Sequence, residues 1–350
     1  MEVVGADALK APNRGERDKS IEAFAATHLA GQNQDLYQDI MVTLCRMARD
    51  GADRGDVKLL HKAFAELRYA LKVFAPYRDI RKISIFGSSR TPETHPDYLT
   101  AVEFARKMCD NGWMVITGAG GGIMKAGHGG AGREASFGVA IRLPFEQKTN
   151  EIIAEDPKLA NFRYFFTRKL MFMKEASAIA LFPGGFGTQD EGFEALTLVQ
   201  TGKATLLPIV MLEQPGGAYW PKWRAYVKAE LLGAEMISEE DMRLFHITDD
   251  VDQAVAETLQ FYRVYHSSRY VNDDLVLRLK RPVAAETVAR LNDLYAAKIV
   301  ISGKIETDGP LPQERGEHPN LPRLRLSFDR RSVGLLRQLI DDVNREPEEA

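Results

Sequence analysis

Cysteine is scarce: the 350 residues hold two, Cys45 and Cys109. So few exclude a disulfide framework, and no metal-ligand spacing relates them, so both are expected as core thiols in helices, in a reducing compartment. The seven histidines form no pair at helical ligand spacing, and no metal is expected. An excess of positive charge is missing too. With 46 Lys and Arg against 49 Asp and Glu, the net charge is −3. No global field is available to hold a nucleic-acid backbone, so any phosphate must be held locally. No apolar run approaches the roughly 20 residues that span a bilayer. Met1 to Lys19 mixes Glu2, Asp7, Lys10, Arg14 and Glu16 with no apolar stretch, unlike a secretory signal. A cytoplasmic protein bound to neither membrane nor nucleic acid is expected. There is no internal repeat and no low-complexity tract.

What is present is ordinary for a globular chain, with 45% hydrophobic and 27% charged residues. Three regions are expected. Residues 1–79 read as a helical N-terminal extension, because Leu36, Ile40, Leu44 and Met47, then Leu60, Phe64, Leu67 and Leu71, recur at helical spacing. Residues 80–266 alternate short apolar runs with amphipathic stretches, the pattern of an α/β domain with a Rossmann-like, doubly wound parallel sheet. Its strands are placed at Lys82–Phe86, Trp113–Thr117, Gly138–Leu143, Ala178–Phe182 and Leu206–Leu212. Helices fall near Pro96–Asn111, Gly122–Arg133, Thr167–Ala176, Thr188–Thr201, Trp220–Leu232 and Val251–Tyr265. Residues 267–350 read as a small α+β appendix: strand Asp274–Leu279, helix Ala284–Ala297, strands Lys298–Ile305 and Arg323–Phe328, and helix Val333–Asn344, with Thr307–Pro322 as a loop.

In open α/β sheets ligands sit beyond the carboxyl ends of the strands, and glycine-rich junctions mark those ends here. Gly87-Ser88-Ser89 follows the first strand and offers backbone and hydroxyl donors, though a plain turn fits equally well. Gly118, Gly120 and Gly122 lie in Thr117-Gly-Ala-Gly-Gly-Gly-Ile-Met124, where a phosphate can approach the backbone and the following helix start. A dinucleotide cofactor would also fit, but the acidic residue expected at the end of the next strand is absent, since Val139 to Leu143 carries only Arg142 as a charge. Pro183-Gly184-Gly185-Phe186-Gly187-Thr188-Gln189-Asp190-Glu191 is a third such junction. Thr188-x-x-Glu191 is also the spacing of a capping box, so the pattern leaves structural and catalytic roles for Glu191 equally open. Arg168-Lys169 at a helix start opposes the helix dipole and calls for a bound anion or an acidic neighbour; such pairs are more often a solvated surface. His128 is expected at a loop or the edge of a ligand site.

Together these segments resemble the LOG (Lonely Guy) family of nucleotide phosphoribohydrolases, often labelled lysine decarboxylase-like. The resemblance covers roughly Ile80 to Tyr265 and rests on the complete Pro-Gly-Gly-x-Gly-Thr-x-x-Glu motif at 183–191 and on Arg168-Lys169-Leu170-Met171. Leu143-Pro144-Phe145-Glu146-Gln147, Thr197 to Lys203, and Thr117 to Ala131 look like the longer bacterial form. There Ala119, Gly121 and Lys125 replace the usual Gly, Pro and Glu, and Lys125 reverses a charge near the site. The resemblance implies hydrolysis of the base–ribose bond of a nucleoside 5′-monophosphate, without cofactor. Arg168 and Glu191 would be catalytic. Gly87, Ser88, Gly118, Gly120, Gly122, Lys169, Gly184, Gly185, Gly187 and Thr188 would bind substrate. It also implies a homodimer or larger assembly. Adenine leads among the bases, with guanine, pyrimidines and modified adenines open. Two other readings stand beside it. A non-catalytic nucleotide sensor would use the same pocket, and a decarboxylase would need pyridoxal phosphate on a lysine, for which Lys169 is the nearest candidate.

Overall fold

The computed structural model describes residues 14–143 and 148–346. The chain divides into two compact units, Met1–Phe64 and Ala65–Ala350. In the first, α1 (Arg14–His28) packs on α2 (Gln34–Arg49), and Ile21 and Ala25 are buried. No residue of α2 is buried, and Leu36, Ile40 and Leu44 lie exposed along it. Helix α3 (Arg54–Phe74) contributes to both units, and its Ala70 and Phe74 join the core of the second.

The second unit is built on a seven-stranded, wholly parallel sheet in the order β4-β3-β2-β1-β5-β6-β7. Its strands are β1 (Lys82–Phe86), β2 (Met114–Thr117), β3 (Ser136–Ile141), β4 (Leu159–Phe162), β5 (Ala178–Leu181), β6 (Ile209–Leu212) and β7 (His246–Thr248). Every residue of β1, β2, β5 and β6 is buried, as strands covered on both faces must be. Helices α4 (Pro96–Asp110), α5 (Ile123–Ala131), α6 (Phe165–Glu175), α7 (Phe186–Gln200) and α8 (Tyr219–Tyr226) fall between the strands along the chain, and α9 (Val251–Gln260) follows β7. Local chemistry sets these bounds. Pro96 opens α4 behind a His95 cap whose Nδ1 accepts from the Asp97 amide, and Gly112, at φ +78°, turns the chain out of it.

The Rossmann-like α/β expectation holds. The strand order reverses between β1 and β5, so the chain ends leaving these two neighbours diverge and open a crevice at the middle of the sheet.

Beyond α9 the chain forms a four-stranded antiparallel sheet, β10-β11-β9-β8. It contains β8 (Tyr265–Val271), β9 (Asp274–Leu279), β10 (Glu306–Asp308) and β11 (Arg323–Leu326), and is packed with α10 (Ala285–Leu291), α11 (Ala297–Ile299) and α12 (Val333–Asn344). Here three expectations fail, the first because the Thr307–Pro322 stretch is not all loop: Thr307 and Asp308 belong to β10 and pair with β11. Val251–Tyr265 is not one helix: α9 stops at Gln260, and Tyr265 starts β8. Lys298–Ile305 is not a strand: α11 occupies its start, Val300 makes one bridge to Phe328, and Gly303 at φ +75° redirects the chain before β10. Both cysteines are free and half-buried rather than in the core.

Candidate functional site

The loops after β1, β2 and β5 meet at the crevice. The Ser88 amide donates to the Pro183 carbonyl (3.1 Å), and the Ile123 amide donates to the Ser88 carbonyl (3.0 Å), so Ser88 stitches the β1 loop to both neighbours. Its hydroxyl accepts from the Arg90 amide (3.1 Å). The close approach explains three glycines. A β-carbon on Gly87 would lie 2.7 Å from Ile123, one on Gly184 would overlap the Thr188 side chain, and one on Gly122, at φ +59°, would overlap the Ser88 carbonyl. Gly185 and Gly187 differ, because a β-carbon on either would meet nothing within 4 Å. They are the open face of the β5–α7 turn, with the Phe186 ring between them 96% exposed. Tyr219 braces this turn, donating its hydroxyl to the Gly184 carbonyl and receiving the Gln189 amide.

The capping box does not form. Gly185 is the cap residue of α7, without a side-chain cap, so Thr188 stands at the third helical position and Glu191 a turn further in. Thr188 is buried, and its amide donates to the Gly185 carbonyl (3.0 Å). Glu191 is 9% exposed, and among the described residues nothing hydrogen-bonds or ion-pairs with its carboxylate. Burial drives its pKa up to about 7. Lys169 and Arg168 oppose that rise, and Glu194 and Asp190 add to it.

Arg168 lies on α6 and is fixed by three contacts. Its Nε donates to the Val139 carbonyl (2.9 Å), its guanidinium sits 5.1 Å from the Phe172 ring centroid, and Nη2 rests against Gly118, where a β-carbon would overlap it. Burial lowers its pKa while Glu191 works to raise it. An arginine remains charged under such a shift. Lys169 points to α7, paired with Asp190 (2.9 Å) and Glu194 (2.8 Å). Burial disfavours its charge, but these two hydrogen bonds outweigh that and raise its pKa. The acids that a cationic helix start calls for are therefore Asp190, Glu194 and Glu66, whose carboxylate accepts from the Arg163 amide (2.8 Å) and the Thr167 hydroxyl (2.9 Å).

The β2–α5 loop rests in part on Asn150, which sequence reasoning did not single out. Ala119 is left-handed at φ +63°, its amide held by the Thr117 hydroxyl (3.0 Å) and its carbonyl by the Asn150 amide (2.9 Å). Asn150 Nδ2 donates to the Gly120 carbonyl (2.9 Å). His128 is not at a ligand edge: it is fully buried on α5 between Thr117, Phe137 and Asn150, and burial lowers its pKa, so the ring is neutral. It fixes the loop. Beside Gly118 and Gly120 opens a cleft of about 330 Å³ that also takes in Arg142, Lys148 and Asn161. Lys125 is paired with Glu93 (2.6 Å) and Glu151 (2.7 Å), so its reversed charge is answered within the protein. Of the long-form segments, Thr197 to Lys203 closes α7, and 144–147 lie outside the described residues. Among the described residues no three His, Cys, Asp or Glu side chains gather to hold a metal ion, and no helix is long and apolar enough to cross a membrane.

No curated protein gives a match to the chain. Similar solved structures include the molybdenum cofactor carrier protein of Chlamydomonas reinhardtii, 20% identical over 52% of this chain and 97% of that one, TM-score 0.36. The molybdenum cofactor binding protein of the phototrophic bacterium Rippkaea orientalis is 16% identical over 50% and 92%, TM-score 0.35. DNA processing protein A of Helicobacter pylori is 14% identical over 51% and 80%, TM-score 0.36. Residues 121–258, which hold Arg168, Lys169 and the whole of the 183–191 turn, match a family model. That model is described as possible lysine decarboxylase.

Proposed function

We propose that the protein hydrolyses the N-glycosidic bond of a nucleoside 5′-monophosphate, giving free base and ribose 5-phosphate. The observation that carries this reading is Glu191: a buried carboxylate with no partner of its own, electrostatically coupled to Arg168 and set beneath an open glycine turn at the switch point of the sheet. Burying such a group costs stability, and a buried carboxyl with a raised pKa in a crevice marks a candidate functional group.

Cleavage builds positive charge on the ribose ring and negative charge on the departing base. Glu191 stabilises the first and takes up a proton from the attacking water as its oxygen bonds to C1′. The electron pair of the C1′–N bond leaves with the base, which Arg168 holds, and the proton taken up by Glu191 is returned to the base through solvent water, leaving the carboxylate ionised. Amides of Gly185, Phe186 and Gly187, at the positive end of α7, receive the 5′-phosphate. Phosphate binding there offsets the cost of positioning the reacting bond. The decarboxylase reading fits less well. A Schiff-base lysine must reach its neutral form, whereas Asp190 and Glu194 hold Lys169 as a cation.

The test is incubation with a panel of nucleoside monophosphates, AMP first, with chromatographic detection of base and ribose 5-phosphate. Turnover should fall roughly 10²- to 10³-fold in Glu191→Gln. Saturable nucleotide binding with no product from any member of the panel would replace the hydrolase with a nucleotide sensor.

A further inference from the structure

We infer a second ligand site in the cleft between the end of α7 and the four-stranded sheet, fitted to a small organic anion that joins an apolar ring to a terminal phosphate. The cleft encloses about 230 Å³ over a floor that includes Leu275, Phe328 and Leu336. Its lining carries three cations, Lys203, Arg269 and Arg330, and no carboxylate. Arg269 is engaged by Glu317 at 2.9 Å. The other two are available. Among the described residues the Lys203 amine has no partner, and Arg330 meets the almost fully exposed Asp273 at 3.4 Å and donates to the Asn272 carbonyl at 3.5 Å.

The Arg330 side chain is placed deliberately by the backbone. The residue is left-handed at φ +62°, a conformation unfavourable for a non-glycine residue. Asp329 enforces it by accepting from the Arg331 and Ser332 amides, both at 2.9 Å. The result sets the guanidinium 4.8 Å from the centroid of the Tyr270 ring, at the rim of the cleft. A cation backed by an aromatic face, a second cation in the same lining and an apolar floor together match an amphiphilic anion: the ring would leave water against the floor while the phosphate bridges Lys203 and Arg330.

This is not the substrate crevice. Helix α7 has 15 residues and so runs about 22 Å, with Glu191 near its start and Lys203 past its end. The inference does not rest on the proposed hydrolysis.

Phenyl phosphate is the probe, titrated into the full chain by calorimetry, with benzyl alcohol and inorganic phosphate as controls that each supply half of the ligand. Phenyl phosphate should bind saturably and at least tenfold tighter than either control. Lys203→Glu with Arg330→Glu should weaken it at least tenfold, whereas Arg168→Ala should leave it within threefold. Lys203→Glu alone, on an exposed turn, repeats the measurement if the double variant folds poorly. Absence of saturable binding, no advantage over the controls, unchanged affinity in the Lys203 variants, or loss in Arg168→Ala would each overturn the site.

Discussion

The guanidinium of Arg168 rests on the α-carbon of Gly118, so closely that a β-carbon at position 118 would overlap Nη2 and also press on the Met124 sulfur, 2.6 Å away. The glycine of one loop thus sets the position of a charge carried by another element. Gly118→Ala should leave the sheet intact and displace the guanidinium by about an ångström, a misplacement that costs on the order of 10²-fold in rate. Because the effect runs through Arg168, it should vanish in an Arg168→Ala background. A double-mutant cycle on kcat/KM checks this, with additive losses counting against the coupling.

Activity should rise with pH through the titration of Glu191. Its carboxyl sits at about 7, and the proposed role needs the ionised form, so kcat/KM should fall as the solution is made more acid than that value. Lys169 pulls this pKa down. Lys169→Gln should therefore move the acid limb of the pH–rate profile upward. Profiles from roughly pH 5 to 9 decide it; a limb that stays in place would mean that another group controls turnover.

The sequence carried the sheet's centre better than its edges. Lys82–Phe86 is a continuous buried run and was bounded correctly, as were Asp274–Leu279 and Val333–Asn344. Leu159–Phe162 and His246–Thr248 went unnoticed because strands of four and three residues show no period, and both lie at sheet edges. Tyr265–Val271 hid behind the polar His266 to Arg269, which an edge strand tolerates. At the site, Arg168 and Glu191 were visible as motif residues. Asn150 was not, since its partner Gly120 lies 30 positions away and only the fold joins them. The capping-box spacing misled because α7 begins before Thr188, with Gly185 as its cap.

The C-terminal sheet has its own buried charge cluster, in which Glu314 receives Arg278 (2.7 Å) and Arg323 (3.1 Å). All three are under 5% exposed. Burial would raise the Glu314 pKa, but the Leu311 amide and the two guanidinium groups hold it down at about 2. Breaking a buried pair from one side costs roughly 3–5 kcal/mol. Glu314→Gln should destabilise the protein by about that amount in urea denaturation at neutral pH. The wild type should lose the same contribution in acid, as pH falls from the ordinary carboxylate range toward 2. A midpoint unchanged by the substitution would show that the cluster adds nothing.

Glu191 should behave in the opposite sense. Its folded pKa, about 7, stands above the ordinary 4.5 of an unfolded chain, so the folded state holds a proton that the unfolded state has already released. The protein is then destabilised progressively as pH rises from 4.5 to 7, and above that window the cost is complete, at most about 3 kcal/mol. Glu191→Gln removes the charge and keeps the shape. At pH 8 it should melt roughly several degrees higher than wild type, with the difference closing below 4.5, where both carry a neutral group. Paired with lost turnover, that gain would show stability surrendered to keep an ionisable carboxyl in an apolar place. A variant less stable than wild type at pH 8 would mean instead that the carboxylate is well solvated or paired in the folded protein.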